Sequence, residues 1–151
     1  MKKLIQDINS LLNEEEKVSG YYAVILSEDS YNQVKEYANY RIVRSNHITI
    51  AYDPTVSESE KLNTMLGKRM GIKTKELFEN DNIQAFTIEM NNLNRLDGGI
   101  PHITVSHDEN TKPFAANEML KNPDRTRTIE LDLFGTFKFI PCLLYTSPSP
   151  R

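Results

Sequence analysis

The sequence contains very little cysteine, tryptophan or histidine: one cysteine, no tryptophan and three histidines in 151 residues. A single cysteine cannot form an internal disulfide, and no cysteine and histidine residues have the spacing of a zinc site. The six glycines are scattered and form no glycine-rich phosphate-binding loop. We therefore expect no metal and no cofactor.

Long apolar segments are also absent. No run approaches the roughly 18 apolar residues that a membrane-spanning helix requires. The amino-terminal run Leu4-Ile5 is interrupted by Gln6 and Asp7, too early for a secretory signal peptide. We expect a cytoplasmic protein that does not bind membranes.

The charge of the chain is small and slightly negative, with a formal net charge of −3. Proteins that bind long nucleic acids usually carry a broad basic surface, so this balance excludes long-duplex binding. A phosphate-bearing nucleotide or an RNA end remains compatible with it, because a few well-placed donors are enough there. The composition does not indicate the oligomeric state.

The chain has the length of one globular domain with a substantial core, and we assign residues 1–141 to it. The last ten residues, 142–151, differ in composition from the segment before them. They resemble one translated reading frame of a common sequencing-library adapter. We expect this tail to be non-native, with the natural sequence stopping near Pro141 and Cys142 an artefact.

Hydrophobic periodicity predicts three helices. Apolar residues at helical spacing predict the first over residues 2–15. Ser30 and Gln33 resemble a capping box at the start of the second. Ser57 and Glu60 resemble another, followed by an apolar stripe that reaches Met70, and the next residue, Gly71, is suited to a helix C-cap.

Strand-like patterns lie between and after these helices. Strands are predicted at residues 21–26, 47–52, 83–90 and 102–107. Residues 108–127 are polar and predict a long loop with one helical turn near 117–120. Residues 128–140 predict a long strand, or a hairpin bent at Gly135. Intermingled helices and strands in one unit indicate the α+β class.

The strongest signal is a repeated tetrapeptide, His47-Ile-Thr-Ile and His102-Ile-Thr-Val, each inside a predicted strand. Alternate residues of a strand share a face, so each histidine points the same way as the threonine two positions later. The isoleucine and valine residues then point into the core. If the two strands lie side by side, one cleft receives two imidazoles and two hydroxyls.

That set of groups suits hydrolysis of a phosphodiester. One neutral imidazole can act as general base and the other, as imidazolium, can protonate the leaving oxygen, since an unperturbed histidine has a pKa of about 6.5. The hydroxyls of Thr49 and Thr104 can donate to the non-bridging phosphate oxygens. His47 and His102 are the predicted catalytic residues, and the sequence leaves open which of them is the base.

The two motifs resemble those of the 2H phosphoesterase superfamily, which is defined by two H-x-[ST]-x motifs on strands. The resemblance covers roughly residues 1–140. It implies a bilobal α+β fold in which two antiparallel sheets face a central cleft. It also implies a metal-independent phosphodiesterase acting on a nucleotide or RNA end. Residues 98–105 and 112–117 are most similar to the branch associated with RNA repair.

The preferred substrate is a 2′,3′-cyclic phosphate of an RNA end or nucleotide. A cyclic di- or trinucleotide immune signal, as in phage members of the superfamily, is an alternative. A catalytically silent module that binds nucleotide or RNA is another. An unrelated α+β domain with coincidental motifs would place the two histidines on separate faces.

Other residues are weaker candidates for the site. Tyr21 and Tyr22 could stack on a base and Lys112 could contact a phosphate, although core packing is expected for at least one of the tyrosines and a lysine is more often solvated. His107 has the opposite strand parity from His102, so we expect a structural role for it. Threonine is common in strands for propensity reasons alone. The duplication of the whole motif is what favours catalysis.

Overall fold

A computed structural model describes residues 16–90, 95–96 and 98–141. The helix predicted over residues 2–15 and the tail 142–151 lie outside the described residues. Within them the fold is α+β, as predicted, and is dominated by antiparallel strands. The elements are β1 (Gly20–Leu26), α1 (Glu28–Lys35), β2 (Ile42–Val43), β3 (His47–Tyr52), α2 (Val56–Asn63), β4 (Arg69–Glu79), β5 (Ile83–Glu89), β6 (His102–His107), a 3-10 turn (Pro113–Ala115), α3 (Ala116–Met119), β7 (Arg125–Thr128) and β8 (Asp132–Pro141).

The strands are hydrogen-bonded in the order β2-β6-β5-β4-β8-β1-β3, and β7 pairs with β4. The long strand β4 lies in the middle of this path and changes its pairing partner along its length. Its first residues, 69–73, pair with β8, whereas its last residues, 76–79, pair with β7. Although β3 and β6 lie near opposite ends of the path, they contact each other. The sheet therefore brings the two motif-bearing strands together.

The main core lies beneath the motif strands. It contains the apolar residues that alternate with the histidines and threonines, including Ile48 and Ile103, which are completely buried. Phe86 and Phe137 are also completely buried in this core. Burial of side chains of this size contributes about 1.5–3 kcal/mol each. A smaller second cluster consists of Ile83, Ala85, Ala116, Met119 and Leu120.

The helix predicted to reach Met70 is shorter than expected. Helix α2 ends at Asn63, and the chain turns at Gly67, whose φ of +86° favours glycine. Residues 69–79 instead form β4, where Ile72 and Thr74 are buried between exposed neighbours. The methionine and leucine spacing fits a helix, but pairing with β5 and β8 stabilises a strand.

The predicted helix caps are each displaced by a few residues. The true capping box of α2 is Thr55 with Glu58, and α1 begins after Ser27, whose side chain accepts from Ser30 N. The hydroxyl of Ser30 accepts a hydrogen bond from Phe134 N at 2.8 Å. Ser30 is therefore used to join α1 to β8 and does not cap the helix.

Gly135 does not bend the chain. It lies inside the continuous strand β8, opposite Leu26 of β1. A β-carbon at this position would lie 2.6 Å from Val24 Cγ1 and 2.8 Å from Ile25 O. The glycine is therefore required for close approach of β1 and β8. The predicted loop 108–127 contains the expected helical turn, but its last residues form the start of β7.

Candidate active site

Both motif strands carry a β-bulge at the same place in the motif. In β3, Ala51 lies opposite Tyr22 and Thr49 lies opposite Ala23, so Ile50 is the extra residue. An extra residue reverses the alternation of side chains beyond it. Ile50 and Ala51 are consequently both buried, and Tyr52 joins His47 and Thr49 at the cleft.

The second motif repeats this arrangement in β6. Ser106 lies opposite Gln84 and Thr104 lies opposite Ala85, so Val105 is the extra residue. The bulge turns His107 towards the cleft and Ser106 into the interior. Strand parity alone therefore misplaces the side chain, but the structural role expected for His107 is not contradicted, since the residue is 3% exposed and accepts a hydrogen bond from Arg44.

The segment before the first motif joins the two strands. Arg44 N donates to Val105 O and Ser45 N donates to Thr104 O, both at 2.8 Å. The Ser45 hydroxyl also donates to Val105 O at 3.0 Å. Ser45 has a φ of 56°, which turns the chain from β6 towards β3. The bulged residues of β6 therefore bind the segment that leads into the first motif.

His47 is partly buried in the cleft. Its Nδ1 lies 2.9 Å from Asn46 Oδ1, and its ring centroid lies 5.7 Å from that of Tyr21. Burial lowers the pKa of His47 below the ordinary histidine value, and the positive charges of His102 and Arg44 lower it further. A lowered pKa keeps the ring neutral near neutral pH, which is the form that accepts a proton.

A backbone carbonyl just before β6 holds the ring of His102. Its Nδ1 lies 2.8 Å from Ile100 O, so Nδ1–H donates to this carbonyl in the neutral and in the cationic ring. The contact fixes the orientation of the ring and the tautomer of its neutral form. The half-buried Thr49 and Thr104 line the same cavity as both histidines. Their hydroxyls form no hydrogen bond within the described part of the chain.

The two histidines and two threonines thus meet in one cleft, in a section of about 450 Å³. The other residues that line this section are Arg44, Tyr52, Arg95, Phe114 and Asn117. Arg95 is held by Asn117, with its Nη1 2.9 Å from Asn117 Oδ1. The two motifs share one cleft, as the repeated pattern predicted. The alternative of coincidental motifs on separate faces is not what the structure shows.

Arg44 is a site residue that sequence reasoning missed. Its Nε donates to His107 Nε2 at 3.1 Å, and His107 Nδ1 donates to Asp108 O at 2.8 Å. In this arrangement Nδ1 of His107 is the donor and Nε2 is the acceptor. This contact uses only the Nε–H of Arg44, which lines both sections of the cleft. The motif pattern contains no signal for an arginine three residues before the histidine.

Tyr22 does not reach the cleft. Its ring is only 3% exposed, it packs against Phe137 and Phe139, and its hydroxyl donates to Asn63 Oδ1 at 2.6 Å. The prediction that Tyr22 contacts a base is therefore wrong. The neighbouring Tyr21 lines the cleft instead, since adjacent strand residues face opposite sides. Lys112 does line the cleft.

No group of three or more histidine, cysteine, aspartate or glutamate side chains in the described ranges could hold a metal ion. Among the same residues, no helix has the length and apolarity needed to cross a membrane.

No protein-family model and no curated protein sequence matches the chain. Among solved structures, the fold is similar to that of a fungal RNA kinase, with a TM-score of 0.50 and 14% sequence identity. The similarity covers 83% of this chain and 47% of that chain, so this chain spans about half the length of its structural neighbour. At this identity the likeness shows the fold alone.

Proposed function

We propose that the protein is a 2H-type phosphoesterase that hydrolyses a nucleotide phosphodiester without a metal, with a 2′,3′-cyclic phosphate as its preferred substrate. The observation that carries the proposal is the convergence of His47, Thr49, His102 and Thr104 on one cleft. The shared β-bulges support it, because they give both motifs the same local geometry. The similarity to a fungal RNA kinase agrees with an RNA-related substrate.

Burial and the nearby positive charges lower the pKa of His47, which favours it as the base in this proposal. Neutral His47 removes a proton from water, and the water oxygen forms a bond to phosphorus. The bond from phosphorus to one ribose oxygen breaks, and cationic His102 supplies the proton to that oxygen. Each proton transfer contributes roughly 10²–10⁴-fold to the rate.

The donors around the phosphate supply the electrostatic part of the mechanism. The hydroxyls of Thr49 and Thr104 and the guanidinium of Arg44 are proposed to hold the non-bridging oxygens, where negative charge develops. The Arg44–His107 contact positions this cation before the substrate binds. Preorganised donors cost little reorganisation during the reaction.

The same proposal extends to the architecture. In the 2H superfamily two sheets face a central cleft, and the division of β4 between β8 and β7 is compatible with two such lobes. The proposed cleft lies between β3 and β6, which are near the two ends of the sheet path.

The test is turnover, with EDTA present, of 2′,3′-cyclic mononucleotides, an RNA with a 2′,3′-cyclic end and 3′,3′-cyclic dinucleotides. We expect a monophosphate product, and a loss of rate of about 10²–10⁴-fold in both His47→Ala and His102→Ala. Thr49→Val and Thr104→Val should lower the rate, whereas Thr128→Val, an exposed position on β7, serves as the matched control. Binding without turnover by folded wild-type protein would instead indicate a silent binding module.

A further inference from the structure

The cleft continues beyond the catalytic groups. A second section of about 800 Å³ shares Arg44, His47, Thr49, Tyr52 and Phe114 with the section that holds both histidines. It extends away from His102 along β2 and the loop that follows β6. Its additional lining residues are Tyr21, Ile42, His107, Glu109, Thr111 and Lys112. We call this section the Lys112 arm. The arm is larger than the section of about 450 Å³ that holds both histidines.

Lys112 supplies the uncompensated charge of the arm. The arm also contains Glu109, whose carboxylate is paired with Arg41 in an exposed ion pair of 2.9 Å. Lys112 is exposed and forms no ion pair with any residue in the described ranges. Arg44, at the junction of the two sections, is already assigned to the scissile phosphate, so Lys112 is the cation that remains for a second anion. The net field in the arm therefore favours an anionic group.

The loop that carries Lys112 is held at both ends. Asp108 N donates to Asn82 O at 3.0 Å, and Thr111 N donates to Asp108 O at 3.3 Å. The carbonyl of Lys112 accepts a hydrogen bond from Ala115 N at 3.0 Å. The chain then enters α3, which packs into the second core cluster. Because the loop is anchored, the lysine is presented to the arm with a reduced entropic cost of ordering on binding.

Aromatic rings flank the path between the two sections. Tyr52 and Phe114 are 68% and 67% exposed and line both sections. Tyr21 stacks on Tyr52 with a centroid distance of 6.2 Å and an interplanar angle of 26°. Exposed aromatic faces beside cations are suited to stacking on bases that are linked by phosphates.

From this arrangement we infer that the Lys112 arm binds a second phosphodiester, so that the substrate is an oligonucleotide of at least two nucleotides. The inference rests on the proposed function and names the substrate class of the same cleft. The second phosphate belongs to a linear RNA end or to a cyclic oligonucleotide, and both present the same anionic group to Lys112. Arg44 remains with the scissile phosphate.

The test compares kcat/KM for a dinucleotide and for a mononucleotide, both ending in a 2′,3′-cyclic phosphate. We expect the wild-type protein to prefer the dinucleotide, and Lys112→Ala to reduce this preference about tenfold. Lys112→Arg should keep the preference. Lys138→Ala, an exposed lysine on β8 outside the cleft, is the matched control. Added salt should weaken the preference in the wild-type protein more than in Lys112→Ala.

A preference that Lys112→Ala leaves unchanged would overturn the inference while the proposed function stands. Absence of turnover for every compound would overturn the proposed function, and equilibrium binding of the same two compounds would then still test the arm. A 3′,3′-cyclic dinucleotide in parallel identifies the source of the second phosphate. If only turnover of the cyclic dinucleotide depends on Lys112, the substrate is a cyclic signal. If only turnover of the linear dinucleotide depends on Lys112, the substrate is an RNA end.

Discussion

Gln84 is completely buried on β5, beside the strand that carries the second motif, and all four of its hydrogen-bonding positions face protein groups. Its carbonyl oxygen accepts from Asn39 N at 2.8 Å and from the Ser106 hydroxyl. Its amide donates to Tyr37 O at 2.8 Å and to Glu79 Oε2 at 2.7 Å. Because Ser106 directly follows the bulge residue of β6, this network supports the geometry of the motif.

Replacing Gln84 with leucine keeps the volume similar and removes every one of these hydrogen bonds. Glu79 would keep the hydrogen bond that it accepts from Asn39 Nδ2 at 3.1 Å. The Ser106 hydroxyl would keep the hydrogen bond that it accepts from Tyr40 N at 3.1 Å. The backbone groups of Asn39 and Tyr37 would each lose a partner, at a cost of about 1–3 kcal/mol per group. We expect the free energy of unfolding to fall by about 3 kcal/mol, a large share of the 5–15 kcal/mol typical of a domain.

Urea denaturation followed by circular dichroism measures this change. Gln33→Leu is the matched control, because Gln33 is exposed on α1 and should change the free energy of unfolding by no more than about 0.5 kcal/mol. A loss of less than about 1 kcal/mol in Gln84→Leu, at an unchanged slope with urea, would refute the reasoning. A double-mutant cycle with Ser106→Ala should show a coupling of about 0.5–3 kcal/mol.

Two further predictions concern the β1–β8 contact and the pKa of His47. Gly135→Ala should lower the free energy of unfolding by about 1–3 kcal/mol, because its new methyl group would meet β1 at 2.6 Å. Gly71→Ala is the control, since its nearest neighbour would be 3.9 Å away, and equal losses would contradict the packing argument. Arg44→Gln removes a positive charge that lowers the pKa of His47, so an NMR titration should show a higher pKa. The acid limb of the pH profile of kcat/KM should move to higher pH with this pKa. The control Arg41→Gln should leave the pKa of His47 unchanged. An unchanged pKa in Arg44→Gln as well would contradict the effect assigned to the Arg44 charge.

The convergence of the two motifs was predictable because it depends on local periodicity. His47 and Thr49, and likewise His102 and Thr104, are two residues apart, and this short spacing places each pair on one face of a strand. The α+β class followed from patterns of the same kind. The four strands predicted at residues 21–26, 47–52, 83–90 and 102–107 are confirmed with end shifts of at most one residue.

The remaining site residues depend on features that periodicity does not contain. The two bulges reverse the side-chain alternation, and only strand pairing reveals them, so parity alone could not place the His107 side chain. Arg44 reaches the cleft through a backbone connection to β6 that joins residues distant in sequence. Tyr21 and Tyr22 are chemically identical, and the register of β1 decides which one lines the cleft.

The misplaced helix end has a similar cause. The stripe of Leu62, Met65 and Met70 fits a helix, but β4 is stabilised by pairing with β5 and β8, whose residues follow it in the sequence. Tertiary pairing outweighs local propensity of this size.

The central claim is that His47 and His102 act on the same phosphate as one catalytic centre. The most direct test is kcat/KM for a 2′,3′-cyclic nucleotide, with EDTA present, in the wild type, both single alanine variants and His47→Ala/His102→Ala. Residues that act as a unit show strongly non-additive losses. We predict that the double variant is no slower than the slower single variant. Losses that multiply, or a single variant with the wild-type rate, would contradict the claim.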